Sequence, residues 1–256
     1  MNLHTLYFSP TKTTQKIVNA ICNGIGSNSV DYDITLKKDR NASLKFNDED
    51  CLIIGLPVYA GRIPELTEAF MHRLKGQSTP VVLVAVYGNR DYDDALLEMK
   101  NLLEKQGFVP IAAGAFIGEH SYTQNVATNR PDSNDLHLAN ELAKKVKELL
   151  QNESFKGLSL QVKGNYPYRN RPSSLPVGPI VNEACIKCGT CVNGCPTDSL
   201  KLEEVIHVDE EKCVRCHACT RNCPVSAIAF DDRTAHIKKW LEDSFSERKE
   251  PEMFYV

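Results

Sequence analysis

Eight of the ten cysteines stand between positions 185 and 223, in two copies of one pattern: CIKCGTCVNGCP from Cys185 and CVRCHACTRNCP from Cys213. Corresponding cysteines are 28 residues apart throughout, and each copy reads Cys-x2-Cys-x2-Cys-x3-Cys-Pro. No other stretch narrows the chain's options as far. So dense a set of thiols in a reducing compartment argues for metal ligation rather than disulfides. A cube of four irons and four sulfides takes four soft thiolates, one per iron. Three cysteines at this pitch let a short loop wrap three of its corners.

The fourth corner is reached from elsewhere. Where two such runs stand in tandem, the remote cysteine of each ligates the cluster of the other. That rule assigns Cys185, Cys188, Cys191 and Cys223 to one [4Fe-4S] cluster, and Cys213, Cys216, Cys219 and Cys195 to a second. The prolines after Cys195 and Cys223 redirect the chain behind the remote ligand, and Gly189 permits close backbone approach. Two rivals fit less well. Cys213-Val-Arg-Cys216-His217 matches the pattern for covalent haem attachment, but no export signal opens the chain, and the other copy has Gly189 where His217 stands. A structural zinc site takes two Cys-x2-Cys pairs across a longer spacer, unlike these unbroken three-cysteine runs. Cys22 and Cys51 fall on an expected helix and strand, where they read as ordinary buried residues.

The rest of the chain is long enough to matter. At 256 residues and 42% hydrophobic, it has room for a full core of about 150 residues and a second, smaller domain. No run of 18 or more apolar residues predicts a membrane span, and the expected compartment is the cytoplasm. The formal charge of -3 falls to about -7 once two clusters with their thiolates are counted. With no strongly basic face to neutralise phosphates, nucleic acid is excluded as a partner.

From the N-terminus, NLHTLYF (2 to 8) reads as a strand and the apolar spacing of Ile17, Val18 and Ile21 as a helix. VDYDITL (30 to 36), CLIIGL (51 to 56), VVLVAVY (81 to 87) and FVPIAAGAFIG (108 to 118) read as further strands. ELTEAFMHRL, ALLEMKNLLEKQG and LHLANELAKKVKELL (136 to 150) read as helices. Alternation at this pitch predicts an α/β doubly wound parallel sheet of five strands over residues 1–150. In the order 2-1-3-4-5, ligands sit beyond the carboxyl ends of strands 1 and 3, where the winding reverses.

Three loops meet there. Ser9, Thr11, Lys12, Thr13 and Thr14 place hydroxyls and a cation at a helix start, a seat for a phosphate without the glycine-rich nucleotide loop. Pro57, Val58, Tyr59, Ala60 and Gly61 follow the third strand. Tyr87, Gly88, Asn89, Asp91 and Tyr92 follow the fourth. An anionic phosphate in the first loop and a flat aromatic ring against Tyr59 or Tyr92 account for all three together.

Residues 151–178 have the composition of a linker, expected to strap the surface, with Lys163, Arg169 and Arg171 either solvated or paired with acidic cofactors. The cysteine domain spans 179–230. Residues 231–256 are expected to form a helix, with Ile237, Trp240, Leu241 and Phe245 near one face. The polar loop GEHSYTQNVATNRPD (118 to 132) is long for a connection. It is a candidate cover for the ring site, with His120 or Tyr122 as a candidate proton donor.

With both halves read, YFSPTKTT and the tandem cysteines carry a resemblance. The first 150 residues resemble a flavodoxin, and residues 179–230 resemble a small α+β 2[4Fe-4S] ferredoxin of the bacterial type. Together they are similar to the fused flavodoxin–ferredoxin proteins, found mainly in anaerobic bacteria and archaea. The resemblance implies non-covalent FMN, its phosphate on Ser9, Thr11, Thr13 and Thr14 and its ring near Tyr59 and the Tyr87 to Tyr92 loop. It also implies that Ala60 or Gly61 offers a backbone group to flavin N5. Many flavodoxins have Gly where Lys12 stands. The implied function is transfer of single electrons between two clusters and FMN, coupling donor and acceptor proteins. The alternative is a flavin-dependent reductase of a small organic substrate fed by the clusters.

Overall fold

The computed structural model describes residues 1–26, 28–173 and 176–256. Five parallel strands and four helices follow from the N-terminus, with only a 3-10 helix, Lys37–Asn41, between β2 and β3: β1 (Asn2–Tyr7), α1 (Thr13–Ile25), β2 (Ser29–Asp33), β3 (Asp50–Pro57), α2 (Glu65–Met71), β4 (Thr79–Tyr87), α3 (Ala95–Lys105), β5 (Phe108–Ile117) and α4 (Ser133–Asn152). Their order across the sheet is β2-β1-β3-β4-β5, the doubly wound order expected, with the reversal between β1 and β3. Every residue of β4 is buried, which explains the unbroken apolar run there: helices cover both faces of the sheet. Along β3, Leu52, Ile54 and Leu56 pack with Phe70, Leu96 and Met99 on the side of α2 and α3. Cys51 and Ile53 face the other way, onto Ile17, Val18, Ile21 and Val146 of α1 and α4. Cys22 and Cys51 are both buried here, and burial pushes the Cys51 thiol up to about 12.

The cysteine domain contains β6 (Ile180–Val181), α5 (Thr190–Asn193), β7 (Leu200–Leu202), β8 (Ile206–Val208), α6 (Ala218–Asn222) and β9 (Ile228–Ala229). β6 pairs with β9 and β7 with β8, both antiparallel, so the two cysteine copies are tied at their ends. Its core is small: Cys195, Leu200, Ile206 and Ile228, backed by Val181, Val208 and four further cysteines. A core of this size, built so largely of thiols, is of the kind that folds on its metal.

The C-terminal stretch departs from the expected single helix. Its first part is α7 (Ala235–Ser244), of which only Leu241 is buried, and Trp240 is half exposed. Its last part is β10 (Glu252–Tyr255), which pairs antiparallel with β5 as a sixth strand, Glu252 opposite Ala115 and Tyr255 opposite Ala112. The reason is a period of two in a stretch of four residues: Phe254 packs with one core and Met253 and Tyr255 with the other. The sheet therefore has six strands and is mixed at one edge, and the first domain is completed by the chain's last residues.

The linker also differs from a solvated strap. Phe155 and Leu160 are buried in the sheet's two cores. The Asp94 carboxylate accepts the backbone N–H groups of Asn165 at 2.8 Å and Arg169 at 2.7 Å. Its cations pair with protein carboxylates: Arg169 with Asp93 at 2.7 Å, Arg171 with Glu68, and Lys163 with Glu252. Positions 174 and 175 of this linker lie outside the described residues. Among the described residues no helix is long and apolar enough to cross a membrane.

Candidate functional site

β1, β3 and β4 end along one cleft of about 210 Å³, lined by Pro10, Thr11, Thr13 and Thr14, by Pro57 to Ala60, and by Tyr87 and Gly88. At its polar end α1 starts at Thr13 without a side-chain cap, and the Thr11 and Thr13 hydroxyls are 3.5 Å apart. The N–H groups of Thr13 and Thr14, with hydroxyls beside them, can seat an anion, whereas that of Gln15 is already taken. Ser9 stands behind it: its hydroxyl accepts the Gln15 N–H at 3.0 Å and its own N–H donates to Thr35. Lys12 is exposed and off the cleft wall, and its φ of 68° is the conformation that a glycine takes without strain.

At the other end Tyr59 and Arg62 exchange backbone hydrogen bonds of 2.9 and 3.1 Å across Ala60 and Gly61, both left-handed at φ 52° and 83°. This two-residue turn lifts Ala60 onto the cleft. Gly61 is required because a Cβ there would sit 2.2 Å from an Asp93 carboxylate oxygen. Gly61 therefore shapes the loop from behind rather than lining the cleft.

Three predicted residues stand elsewhere. Asn89 donates from its side-chain amide to the carbonyls of Phe245 and Glu247, each at 2.7 Å, and so holds the tail. Asp91 is exposed. Tyr92 is 3% exposed and donates to Glu252 at 3.1 Å, its ring 5.5 Å from that of Tyr87. The tail strand covers it, so of the two candidate ring partners only Tyr59 faces the cleft.

The far wall is formed by Glu119, His120, Ser121 and Tyr122, and by Val214, Arg215 and Cys216 of the cysteine domain. Burial holds the Tyr59 phenol well above its usual range, with Cys216 and Tyr122 adding to the shift, and it raises Tyr122 as well. Burial lowers His120 to about 4, helped by the charges of Arg221 and Arg90. At neutral pH the cleft therefore carries two neutral phenols and a neutral imidazole. The loop that brings them is ordered from within, by Glu119 N–H to Arg130 O at 2.9 Å and His120 N–H to Val126 O at 3.1 Å. It is latched from outside by Arg221 of α6, which pairs with Glu119 and donates to the carbonyls of His120 at 2.7 Å and Thr123 at 3.2 Å. The loop's length was the one signal in the sequence for this wall; nothing there pointed to Val214 or Arg215.

The eight cysteines stand around two further cavities. Cys185, Cys188, Cys191 and Cys223 line one, and Cys195, Cys213, Cys216 and Cys219 line the other. Each quartet takes its last member from the other copy. Equivalent N–H groups serve the two remote thiols: Ser199 donates to Cys195 Sγ at 3.3 Å and Ala227 to Cys223 Sγ at 3.2 Å, each from four residues on. Such N–H···S contacts suit a thiolate held by iron. Among the described residues no three His, Cys, Asp or Glu side chains converge as ligands of a single metal ion. Four soft donors around a cavity fit a cluster instead. The first quartet reaches the surface at Cys188, whereas burial pushes the Cys216 thiol up to about 12 and Cys219 higher still. Cys216 and Val214 line both the second cavity and the cleft.

Residues 184–227 match the family described as a 4Fe-4S dicluster domain. The sheet region is similar to a solved flavodoxin from the domain Archaea, 16% identical at a TM-score of 0.38, over 59% of this chain and 99% of that one. It is similar also to a Streptococcus pneumonia TIGR4 flavodoxin, 11% identical at 0.40, over 58% and 99%. A third is the Fusobacterium nucleatum flavodoxin bound to flavin mononucleotide, 16% identical at 0.38, over 57% and 97%. No curated protein matches the chain. Strand order makes the sheet flavodoxin-like, and the chain joins that fold to a 4Fe-4S dicluster segment.

Proposed function

We propose that the chain is an electron-transfer protein that holds one FMN in the cleft and one [4Fe-4S] cluster in each cysteine quartet. The observation that carries this reading is the shared wall: Cys216 belongs both to the second quartet and to the cleft. When bound, FMN takes up one or two electrons and a four-iron cluster one, so their union joins single-electron to paired-electron chemistry.

The residues divide the work. Thr11, Thr13, Thr14 and the start of α1 would hold the phosphate, and Tyr59, Tyr122 and the backbone of Ala60 would hold the ring. Loop 118–132, latched by Arg221, keeps water from the side where the cluster domain docks. The first quartet is the outer end, because Cys188 is exposed and Ile186 and Val225 beside it are 61% and 39% exposed. An electron donor protein docks there and an acceptor protein meets the cleft's open rim, in the expected roles of redox partners.

After anaerobic purification the chain is expected to carry about eight irons, as many sulfides and one FMN. Four irons, a zinc-dominated metal content, or absence of flavin would sink this reading. Steady-state turnover of a small substrate with a generic electron donor would move the assignment from carrier to reductase.

Lys12 offers a milder test. Left-handed backbone costs a non-glycine residue roughly 1–2 kcal/mol, and glycine's extra chain entropy offsets roughly 0.5–1 kcal/mol of any gain. Lys12→Gly is therefore expected to leave stability unchanged or raised by up to ~1.5 kcal/mol. It also removes an exposed cation worth ~0.5–1 kcal/mol to a phosphate, about two- to fivefold in FMN affinity. Flavin fluorescence titration and thermal unfolding would check the two effects separately. A tenfold or greater loss would place the ammonium directly on the phosphate.

A further inference from the structure

Gly189 and His217 hold equivalent places in the two cysteine copies, each directly after the second cysteine of its run. Both are left-handed, at φ 76° and 61°, and each precedes a short helix, α5 or α6. Glycine adopts that backbone freely, whereas histidine adopts it at a cost that the rest of the structure must offset. The side chain kept at that cost is 7% exposed, its ring 4.5 Å from that of Tyr122 and 4.3 Å from that of Phe230. It lines the cavity of the Cys195 quartet and is not among the residues lining the cleft.

One ring nitrogen is accounted for and one is not. Nδ1 lies 3.4 Å from the Thr220 hydroxyl, while Nε2 is buried with no hydrogen-bond partner among the described residues. A neutral imidazole carries one N–H, on one ring nitrogen or the other. The Thr220 hydroxyl can donate to the His217 carbonyl at 3.0 Å or to Nδ1. Donation to Nδ1 leaves the proton on Nε2. A buried N–H without an acceptor is costly, and the acceptor that this cavity is built to hold is sulfur.

We propose that His217 is a positioning residue for the cluster on Cys195, Cys213, Cys216 and Cys219. Its Nε2–H donates a hydrogen bond to a sulfur of that cluster and raises its reduction potential. The inference rests on the iron–sulfur reading above. A hydrogen bond to sulfur favours the reduced state, which carries one more negative charge. The other quartet has Gly189 at this place and receives no such bond. This bond moves the inner cluster's potential upward relative to the outer one's and favours electron flow from Cys188 toward the cleft.

The test is potentiometric titration followed by electron paramagnetic resonance on the full chain, purified anaerobically as parent, His217→Gly and His217→Asn. Gly reproduces the twin position, and Asn tolerates the left-handed backbone while keeping an amide N–H. His217→Gly is expected to retain all its iron and to lower one cluster's potential alone. The expected size is at least tenfold in the reduced-to-oxidised ratio at a given ambient potential, 59 mV for one electron. His217→Asn is expected to fall between Gly and parent. Unchanged potentials in the fully loaded Gly variant, or equal shifts of both clusters, would overturn the proposal. Should the Gly variant lose iron, the Asn variant decides: a lowered potential in one cluster supports the proposal, and parental potentials in both overturn it. A parent chain carrying four irons would overturn the two-cluster reading and this proposal with it.

Discussion

Replacing Cys195 by Ala is expected to leave the anaerobically purified chain with about four irons in place of about eight. The surviving cluster should be the outer one. Cys195 follows α5 and is close in sequence to Cys185, Cys188 and Cys191, yet it lines the cavity of Cys213, Cys216 and Cys219. Its sulfur accepts the Ser199 N–H at 3.3 Å and lies 3.1 Å from the Ser199 hydroxyl, contacts that orient it toward that cavity. Its loss removes one ligand of four from the inner site and none from the outer site. Alkylation followed by mass spectrometry would read the outcome residue by residue: Cys213, Cys216 and Cys219 become reactive, while Cys185, Cys188, Cys191 and Cys223 stay protected. The opposite pattern would show that each run keeps its own remote cysteine. Cys223→Ala is the mirror image and exposes Cys185, Cys188 and Cys191. On the proposed reading, the inner loss is also expected to interrupt transfer toward the cleft, since Cys216 lines both cavities.

What could be read without coordinates was what is local. The strands were legible because a parallel strand covered on both faces must be apolar at nearly every position, as the nine buried residues of β4 are. The hydroxyl-rich loop at the start of α1 was legible because it sits directly before the Ile17, Val18 and Ile21 stripe. The three-cysteine runs were legible from their spacing, and the tandem repeat indicated that the fourth cysteine of each copy crosses to the other, as the two cavities group them. The failures are all long-range. Tyr92 has the composition of a ring partner, but Glu252 reaches it from 160 positions away. Asn89 has the look of a cleft amide and instead holds carbonyls of the tail. Arg169 and Arg171 read as solvated cations, yet their carboxylates lie on the loop before α3 and on α2. The wall that joins the two halves of the site, Val214 to Cys216, has no signature of its own. Its role exists only because Arg221 and Arg40 dock one domain on the other, Arg40 donating to the Pro196 carbonyl.

That docking depends on a loop whose far end is anchored by a buried ion pair, and Asp135→Ala is expected to show how much rests on it. Asp135 is fully buried and Arg130 is 5% exposed, and the guanidinium grips the carboxylate through two nitrogens. The same carboxylate accepts the Asp132 N–H at 2.8 Å, closing a capping box in which Asp132 accepts from Asn134 and Asp135. Arg130 donates in addition to the Lys249 carbonyl at 3.1 Å, and Arg248 pairs with Asp132 at 2.7 Å. Loop 118–132, the start of α4 and the tail that leads to β10 therefore meet at one carboxylate. Removing it strands a guanidinium in the interior, which costs ~3–5 kcal/mol, or about 6–20 °C in Tm for a chain of this size. Arg130→Met with Asp135→Leu removes both charges and is expected to cost clearly less, since no charge is left unpaired. Far-UV circular dichroism of the loaded proteins would measure both. A loss below ~1 kcal/mol in Asp135→Ala would mean that water reaches Arg130 and that the pair is no anchor. With the anchor gone, the loop carrying His120 and Tyr122 loses its fixed end, and flavin release should quicken in the single variant more than in the double.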